Sequence, residues 1–113
     1  MKEIKAIIKP AMLESVLLAL RDIEGLPGIT ISEVKGFGKT KKTILKDKSR
    51  DEIIEHENKT KLEIVVPDEL AENAIKVIQE NARTGGKGDG KIFLSEVLDV
   101  VKIRTGERGI SAI

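Results

Sequence analysis

Hydrophobic and polar residues alternate in several stretches of the chain, and in two others the hydrophobic residues recur every three or four positions. Residues 2–9 alternate, with Ile4, Ala6 and Ile8 on one face, which is the pattern of a half-buried β-strand. Residues 11–24 instead place their hydrophobic side chains along one face of a helix. The chain therefore begins with a predicted strand followed by a predicted helix.

The same criteria locate the remaining elements. Ile29–Phe37 is rich in β-branched residues and predicts a second strand, residues 61–66 alternate as a third, and Ile92–Ile103 predicts a final strand or strand pair. A second helix is predicted to begin at Pro67, because proline and acidic residues favour a first helical turn. Its hydrophobic face is formed by Leu70, Ala74, Val77 and Ile78.

The order strand, helix, strand occurs twice, which predicts an α+β, ferredoxin-like βαββαβ fold. In that fold an antiparallel sheet carries both helices on one face, and here a long loop separates strands 2 and 3. A chain of 113 residues is the size of one domain, so we expect a single domain over residues 1–113. Ile7, Val65 and one of Ile92 and Phe93 would lie on the face without helices, which predicts association with another chain.

Composition narrows the possible functions. The chain has no cysteine, which excludes disulfides and thiolate metal sites, and its first residues lack the apolar core of a signal peptide, so we expect a cytoplasmic protein. A net charge of +1 and only two aromatic residues argue against nucleic acid as a partner. His56 is the only histidine, and we expect it to be exposed. No catalytic or metal-binding set can be assembled around it, so we do not expect an enzyme.

The segment from Thr84 to Lys91 contains the strongest local signal. Its four glycines allow positive φ angles, with which successive backbone N–H groups can face one phosphate, and Lys87 and Lys91 add positive charge. It is not a P-loop, because Ile92 replaces the required Ser or Thr and a strand follows instead of a helix. The alternative interpretation is a flexible connection between a helix and a strand.

Lys102 and Arg104 alternate along the predicted last strand and so would point to the same side. Two cations in this arrangement can contact a polyphosphate. The alternative is an ordinary solvated strand face.

Residues 39–59 form a connection far longer than a hairpin requires, and such loops are usually functional or disordered. Residues 39–50 are basic, with Lys46, Lys48 and Arg50 among their cations, whereas residues 51–57 are acidic. The two blocks could pair with each other, or the basic block could dock on a partner protein. We interpret the segment as a partner-docking loop, with a solvated loop as the alternative.

Four blocks of sequence resemble the P-II signal transduction proteins. They are Ala6-Ile7-Ile8-Lys9-Pro10, Glu33-Val34-Lys35-Gly36-Phe37-Gly38, Gly88-Asp89-Gly90-Lys91-Ile92-Phe93 and Ile103-Arg104-Thr105-Gly106-Glu107. The resemblance implies a ferredoxin-like chain that forms a homotrimer and binds ATP or ADP in clefts between subunits. It also implies a protruding loop that docks on target proteins, such as an ammonium transporter in the membrane or an enzyme of nitrogen metabolism.

Carried over by position, the resemblance assigns most of the candidate site. The implied nucleotide-binding residues are Ile7, Thr30, Gly36, Phe37, Gly38, Lys39, Val65, Gly88, Asp89, Gly90, Lys91, Lys102 and Arg104. Magnesium could accompany the nucleotide, although no residue of this chain is assigned as a metal ligand.

The departures from the family pattern leave the effector site open. Thr40 stands where the family has a glutamine that helps to bind magnesium and 2-oxoglutarate, Lys39 and Lys102 each stand where it has arginine, and Lys59 keeps the lysine that meets the effector. The chain has no tyrosine to be uridylylated. Two alternatives therefore stay open, a P-II paralogue that senses adenine nucleotides only and regulates a different transporter or enzyme, and a small phosphohydrolase.

Overall fold

The computed structural model describes residues 1–37 and 56–113. These residues form four strands, two α-helices and two short 3-10 turns. The strands are β1 (Lys2–Ile8), β2 (Thr30–Gly36), β3 (Glu57–Val66) and β4 (Gly90–Glu96); the helices are α1 (Leu13–Arg21) and α2 (Asp68–Ala82); the 3-10 turns are Pro10–Met12 and Ile110–Ala112. No helix in these two ranges is long and apolar enough to cross a lipid bilayer.

The four strands form one antiparallel sheet in the order β2-β3-β1-β4. The two helices pack together on one face of it, where the predicted alternation of β1 places Ile4, Ala6 and Ile8 in the core. The ferredoxin-like prediction is thereby confirmed. The rest of the core comes from β3 and the inner faces of both helices, and consists of Val16, Leu20, Leu62, Ile64, Val66, Ala71, Ala74, Ile78 and Ala82.

Both helices begin and end for local reasons. The predicted helix over residues 11–24 is shorter in the structure, because a 3-10 turn at Pro10–Met12 precedes α1 and Gly25 adopts a positive φ of 84° beyond its end. In α2, Asp68 and Glu69 occupy the first turn, where their negative charges interact favourably with the positive end of the helix dipole. Small alanines on the inner face of α2 let the helix approach the sheet closely.

Two strand boundaries differ from the predictions by several residues, at the start of β3 and the end of β4. β3 begins at Glu57, so the last three residues of the predicted 39–59 loop belong to a strand, paired with the end of β2. The predicted strand over residues 92–103 was wrong beyond Glu96, which pairs with Lys2, the first residue of β1. One more backbone hydrogen bond follows, from the Val97 N–H to the Met1 oxygen at 3.0 Å, and residues 97–100 then lie outside the strands.

The sheet face without helices carries the predicted hydrophobic residues. Ile7 and Val65 are half-buried there, and Phe93 is 48% exposed beneath the Lys5 ammonium, 5.7 Å from the ring centre. Ile92 points to the other face and packs against the core, so Phe93 is the β4 residue that the open face exposes. In β4, Ile92 therefore faces the helices and Phe93 faces away from them.

Candidate functional site

Residues 84–90, which we call the glycine loop, join the end of α2 to the start of β4. Gly85, Gly88 and Gly90 have positive φ angles of 91°, 86° and 106°, a region that glycine enters without steric penalty. A Cβ atom on Gly90 would lie 1.7 Å from the backbone oxygen of Ile7, so no larger residue fits. The glycine loop therefore meets the end of β1 in close backbone contact.

The Asp89 carboxylate fills the first half of the glycine loop. It accepts hydrogen bonds from the Thr84 hydroxyl and from the backbone N–H groups of Thr84, at 2.8 Å, and Gly85, at 2.9 Å. The Thr84 hydroxyl oxygen in turn accepts from the N–H of Gly86 at 3.1 Å. Because these donors favour the ionised carboxylate, led by the Thr84 hydroxyl, the pKa of Asp89 lies well below its usual range. Three N–H groups of the loop are thus engaged internally.

The second half of the glycine loop faces outward. Within the described ranges, the N–H groups of Lys87 and Gly88 donate to no acceptor. The side chains of Lys87 and Lys91 are exposed at the same corner. Lys87 and Gly88 therefore carry backbone N–H groups that have no internal acceptor among the described residues, next to two exposed lysine side chains.

Two lysine side chains from neighbouring strands hold the glycine loop on the sheet. Lys59, on β3, donates to the backbone oxygen of Gly88 at 2.6 Å, and its side chain is only 12% exposed. Lys9, directly after β1, donates to Thr84 Oγ1 at 3.1 Å and lies 3.2 Å from Asp89 Oδ1. The loop is thus tied to both central strands by cationic donors.

Sequence analysis assigned no role in this site to Lys9, which it placed only in a family-like block, or to Thr84, which it named only as the start of the glycine-rich segment. Antiparallel pairing places Ile8 opposite both Thr60 and Gly90. The residues next to these three therefore meet at one corner of the sheet. The contact of Lys9 with the glycine loop could be predicted only once the strand order was known, because its place in a family-like block did not indicate which residues it would meet.

A cavity of about 370 Å³ opens beside the glycine loop, between the end of α2 and the sheet. It is lined by Ile7, Ile8, Ile78, Gln79, Ala82, Arg83, Asp89, Gly90, Lys91 and Ile92. Four of these residues were predicted nucleotide contacts, and the structure brings them together. Gln79 and Arg83, which were not predicted, add an amide and a second cation to the rim.

Two further predicted residues lie on the other side of Lys59. A Cβ atom on Gly36 would lie 3.4 Å from Lys59 Cγ, so Gly36 borders the lysine stem. Phe37 is exposed and meets His56 edge-on, with ring centres 5.9 Å apart, where the chain leaves and re-enters the described region. A cavity of about 390 Å³ adjoins Lys59 here, with Glu33 and other residues of β2 and β3. The predicted contacts at Gly38, Lys39, Thr40, Lys46, Lys48 and Arg50 lie outside the described residues.

Thr30 and Val65 lie away from the glycine loop, at the far end of the sheet. They line a separate cavity of about 330 Å³ with Glu3 and Glu63. Val65 is five positions along β3 from Thr60, the residue level with Gly90, which corresponds to roughly 17 Å at the rise of an antiparallel strand. The chain therefore does not bring these two predicted contacts to the glycine loop.

Lys102 and Arg104 are not on a strand, and the prediction that they alternate along one was wrong. They belong to a turn in which the Lys102 N–H donates to the Glu107 oxygen at 2.8 Å and Gly106 N–H donates to the Lys102 oxygen at 2.7 Å. Lys102 Nζ lies 3.5 Å from a Glu107 carboxylate oxygen, and Arg104 is exposed. The chain leaves β4 at Glu96, at the end of the sheet where Val65 lies, and reaches this turn six residues later.

The family model for nitrogen regulatory protein P-II matches residues 1–107. The chain belongs to the P-II family. Its P-II relatives include a nitrogen regulatory protein P-II from Bradyrhizobium diazoefficiens, 47% identical over the whole of both chains. Nitrogen regulatory protein P-II 1 of Escherichia coli is 43% identical, also over the full length of both.

A solved P-II structure has the same fold. Arabidopsis thaliana PII bound to citrate superposes with a TM-score of 0.81 at 41% identity, covering 99% of this chain and 91% of that one. In this fold the strand register separates the predicted nucleotide contacts of the described residues into two groups, one at the glycine loop and one at the far end of the sheet.

Proposed function

We propose that this P-II chain is a non-enzymatic, cytoplasmic signalling protein that binds ATP or ADP and thereby controls its binding to a partner protein. A membrane transporter for ammonium or an enzyme of nitrogen metabolism fits the family. Phosphates would bind the second half of the glycine loop, where the N–H groups of Lys87 and Gly88 have no acceptor among the described residues and the Lys91 side chain is exposed. Ile7 and the adjoining cavity would take the apolar part of the nucleotide.

The separation of the two groups of predicted contacts is the observation that carries this proposal. Val65 and Thr30 lie at the far end of the sheet, and the turn with Lys102 and Arg104 leaves from that end. In a homotrimer, the far end of one subunit would complete the glycine-loop site of its neighbour. The hydrophobic side chains among the charged residues of the open face support the same assembly, because burial against other subunits removes Phe93 from water.

A small carboxylate effector is also proposed to bind this chain, at Lys59. The Arabidopsis relative was crystallised with citrate. In this chain Lys59 is the cation that such a ligand would meet, and its ammonium now donates to the Gly88 oxygen and lies 3.6 Å from Glu57. A carboxylate would have to share or replace these contacts. Binding of 2-oxoglutarate would thereby be coupled to the glycine loop.

Magnesium would arrive on the nucleotide. Among the described residues, no three Asp, Glu or His side chains lie close enough together to hold a metal ion. Asp89, the carboxylate nearest the proposed phosphates, is already bound to Thr84, Gly85 and Lys9. The described residues thus offer no set of ligands for a metal ion of their own.

The loop from residue 39 onward, with Lys46, Lys48 and Arg50, is proposed to dock on the partner. A ligand can change that docking only if it binds the docking-competent and docking-incompetent states with different affinity. Gly36 and Lys59 connect the nucleotide site to the two ends of this loop, because one precedes it and the other follows it along the sheet.

Calorimetric titration with ATP and ADP, with and without magnesium and 2-oxoglutarate, tests the binding step. Micromolar nucleotide binding is expected; no heat at millimolar nucleotide would refute it. If 2-oxoglutarate increases the affinity for the nucleotide, the protein is a nitrogen sensor. If 2-oxoglutarate leaves that affinity unchanged, the protein is the paralogue that senses adenine nucleotides only. Steady ATP hydrolysis lost with Lys91→Ala would favour the phosphohydrolase instead.

Mixed subunits test whether the site lies between chains. Lys91→Ala removes a phosphate contact from the glycine-loop half, and Arg104→Ala removes one from the far-end half. Each variant alone should bind ATP at least about tenfold more weakly. Refolding the two together should restore full affinity in a fraction of the sites, because some clefts combine both intact halves. No restoration would place the whole site within one chain.

A further inference from the structure

Lys9 lies where β1 ends and the glycine loop begins to turn back over the sheet. Its ammonium bridges two loop side chains, donating to Thr84 Oγ1 at 3.1 Å and lying 3.2 Å from Asp89 Oδ1. The Lys9 side chain is 32% exposed and that of Asp89 is 24% exposed. The pair is therefore shielded from water more than an ordinary surface ion pair.

The Asp89 carboxylate has two opposing effects on this corner. Its bonds to the N–H groups of Thr84 and Gly85 hold the first half of the glycine loop closed. Its negative charge, however, lies one residue from Gly88, where the phosphates of a nucleotide are proposed to bind. A carboxylate this near in the chain, with no cation beside it, would repel a polyphosphate. Lys9 is the ammonium that directly contacts Asp89 within the described residues.

We infer that Lys9 is a positioning residue for nucleotide binding, which acts through Asp89 and not by contact with the ligand. It neutralises the carboxylate and fixes its orientation, so that Asp89 can hold Thr84 and Gly85 without repelling phosphate. The outward N–H groups of Lys87 and Gly88 then keep the geometry that a phosphate needs. The inference rests on the proposed nucleotide-binding function, and it adds a residue of β1 to that site.

Lys2 provides a matched control at the opposite end of the same strand. Its ammonium pairs with the Glu96 carboxylate at 2.8 Å, and its side chain is 28% exposed, close to the value for Lys9. Lys2→Met therefore removes a comparable ion pair from β1 without touching the glycine loop. Any general effect of losing a lysine from this strand should be the same in both variants.

The first test measures ATP affinity by calorimetry. Lys9→Met is expected to weaken binding on the order of five- to tenfold, Lys9→Arg to stay within about twofold of the parent, and Lys2→Met to leave affinity unchanged. In the Asp89→Asn background, the further effect of Lys9→Met should largely disappear, because the charge on which Lys9 acts is gone. An equal loss in both backgrounds would show that Lys9 contacts the nucleotide directly and would overturn the inference.

The second test needs no nucleotide. Amide hydrogen exchange of Thr84 and Gly85 should accelerate about fivefold or more in Lys9→Met and not in Lys2→Met, because the carboxylate that protects these N–H groups is released. Unchanged exchange at both amides would refute the positioning role even if affinity falls. Accelerated exchange in a protein that binds no nucleotide would instead refute the proposed function while upholding the effect of Lys9 on the loop. Thermal unfolding of each variant verifies that it is folded.

Discussion

Replacing Gly90 by alanine should severely destabilise the protein, for two reasons that the structure separates. Gly90 has a φ of 106°, which costs a residue with a side chain about 1–3 kcal/mol. Its Cβ would also lie 1.7 Å from the backbone oxygen of Ile7 and 2.8 Å from the backbone carbon. Overpacking against such a fixed neighbour costs a further 1–3 kcal/mol or so. Together we expect a loss of about 2–6 kcal/mol, a large share of the roughly 5–15 kcal/mol that keeps a protein folded.

Two other glycines provide controls for this substitution. Gly85 has a φ of 91°, but nothing lies within 4 Å of the Cβ that alanine would add, so Gly85→Ala carries the backbone strain without the clash. Gly28→Ala carries neither, because Gly28 has an ordinary φ and open space around it. The expected order of destabilisation is therefore Gly90, then Gly85, then Gly28, with the last close to zero.

Urea unfolding followed by circular dichroism measures the free energy of unfolding of the three variants. The comparison requires one fixed chain concentration, because an oligomer is stabilised by mass action, and equal m-values in all variants. A Gly90→Ala variant no less stable than Gly85→Ala would refute the reasoning. It would mean that β4 can move away from β1 at little cost, and that the close approach does not fix the glycine loop.

Three further predictions follow from the same contacts. The Thr84 hydroxyl is the main cause of the lowered pKa of Asp89, so the ionised carboxylate stabilises the folded protein fully at neutral pH. This stabilisation is lost as the pH falls below 3.8, the ordinary pKa of the carboxyl group. Acid unfolding curves of the parent and Asp89→Asn should therefore converge at low pH, and parallel curves would contradict this. Lys59→Met should abolish any strengthening of ATP binding by 2-oxoglutarate while ATP alone still binds, as calorimetry will show; retained strengthening would exclude Lys59 as the effector contact. Phe93→Glu should place a charge on the open sheet face and dissociate the proposed trimer, which sedimentation velocity will detect as a species smaller than the parent, whereas equal sizes of parent and variant would leave that face outside any interface.

Local patterns in the sequence were sufficient for the framework of the fold. The alternation of Ile4, Ala6 and Ile8 and the helical spacing around Val16 and Leu20 report burial directly, because a side chain's face is set by its position in the same strand or helix. The glycine loop was also predictable, since its glycines mark positive φ angles wherever they lie in the fold. The family resemblance, carried by contiguous motifs, was confirmed for the same reason.

Only the tertiary structure decided where strands stop and which distant residues meet. The pairing of β4 with β1 ends at Glu96, opposite Lys2, although the hydrophobic pattern of the sequence continues beyond it. Lys9 becomes a partner of Asp89 through the pairing of three strands, an arrangement between residues 80 positions apart in the chain. The division of the predicted contacts between the glycine loop and the far end of the sheet has the same origin. Sequence spacing determines local conformation, whereas the distance between Val65 and Gly90 depends on strand order and register.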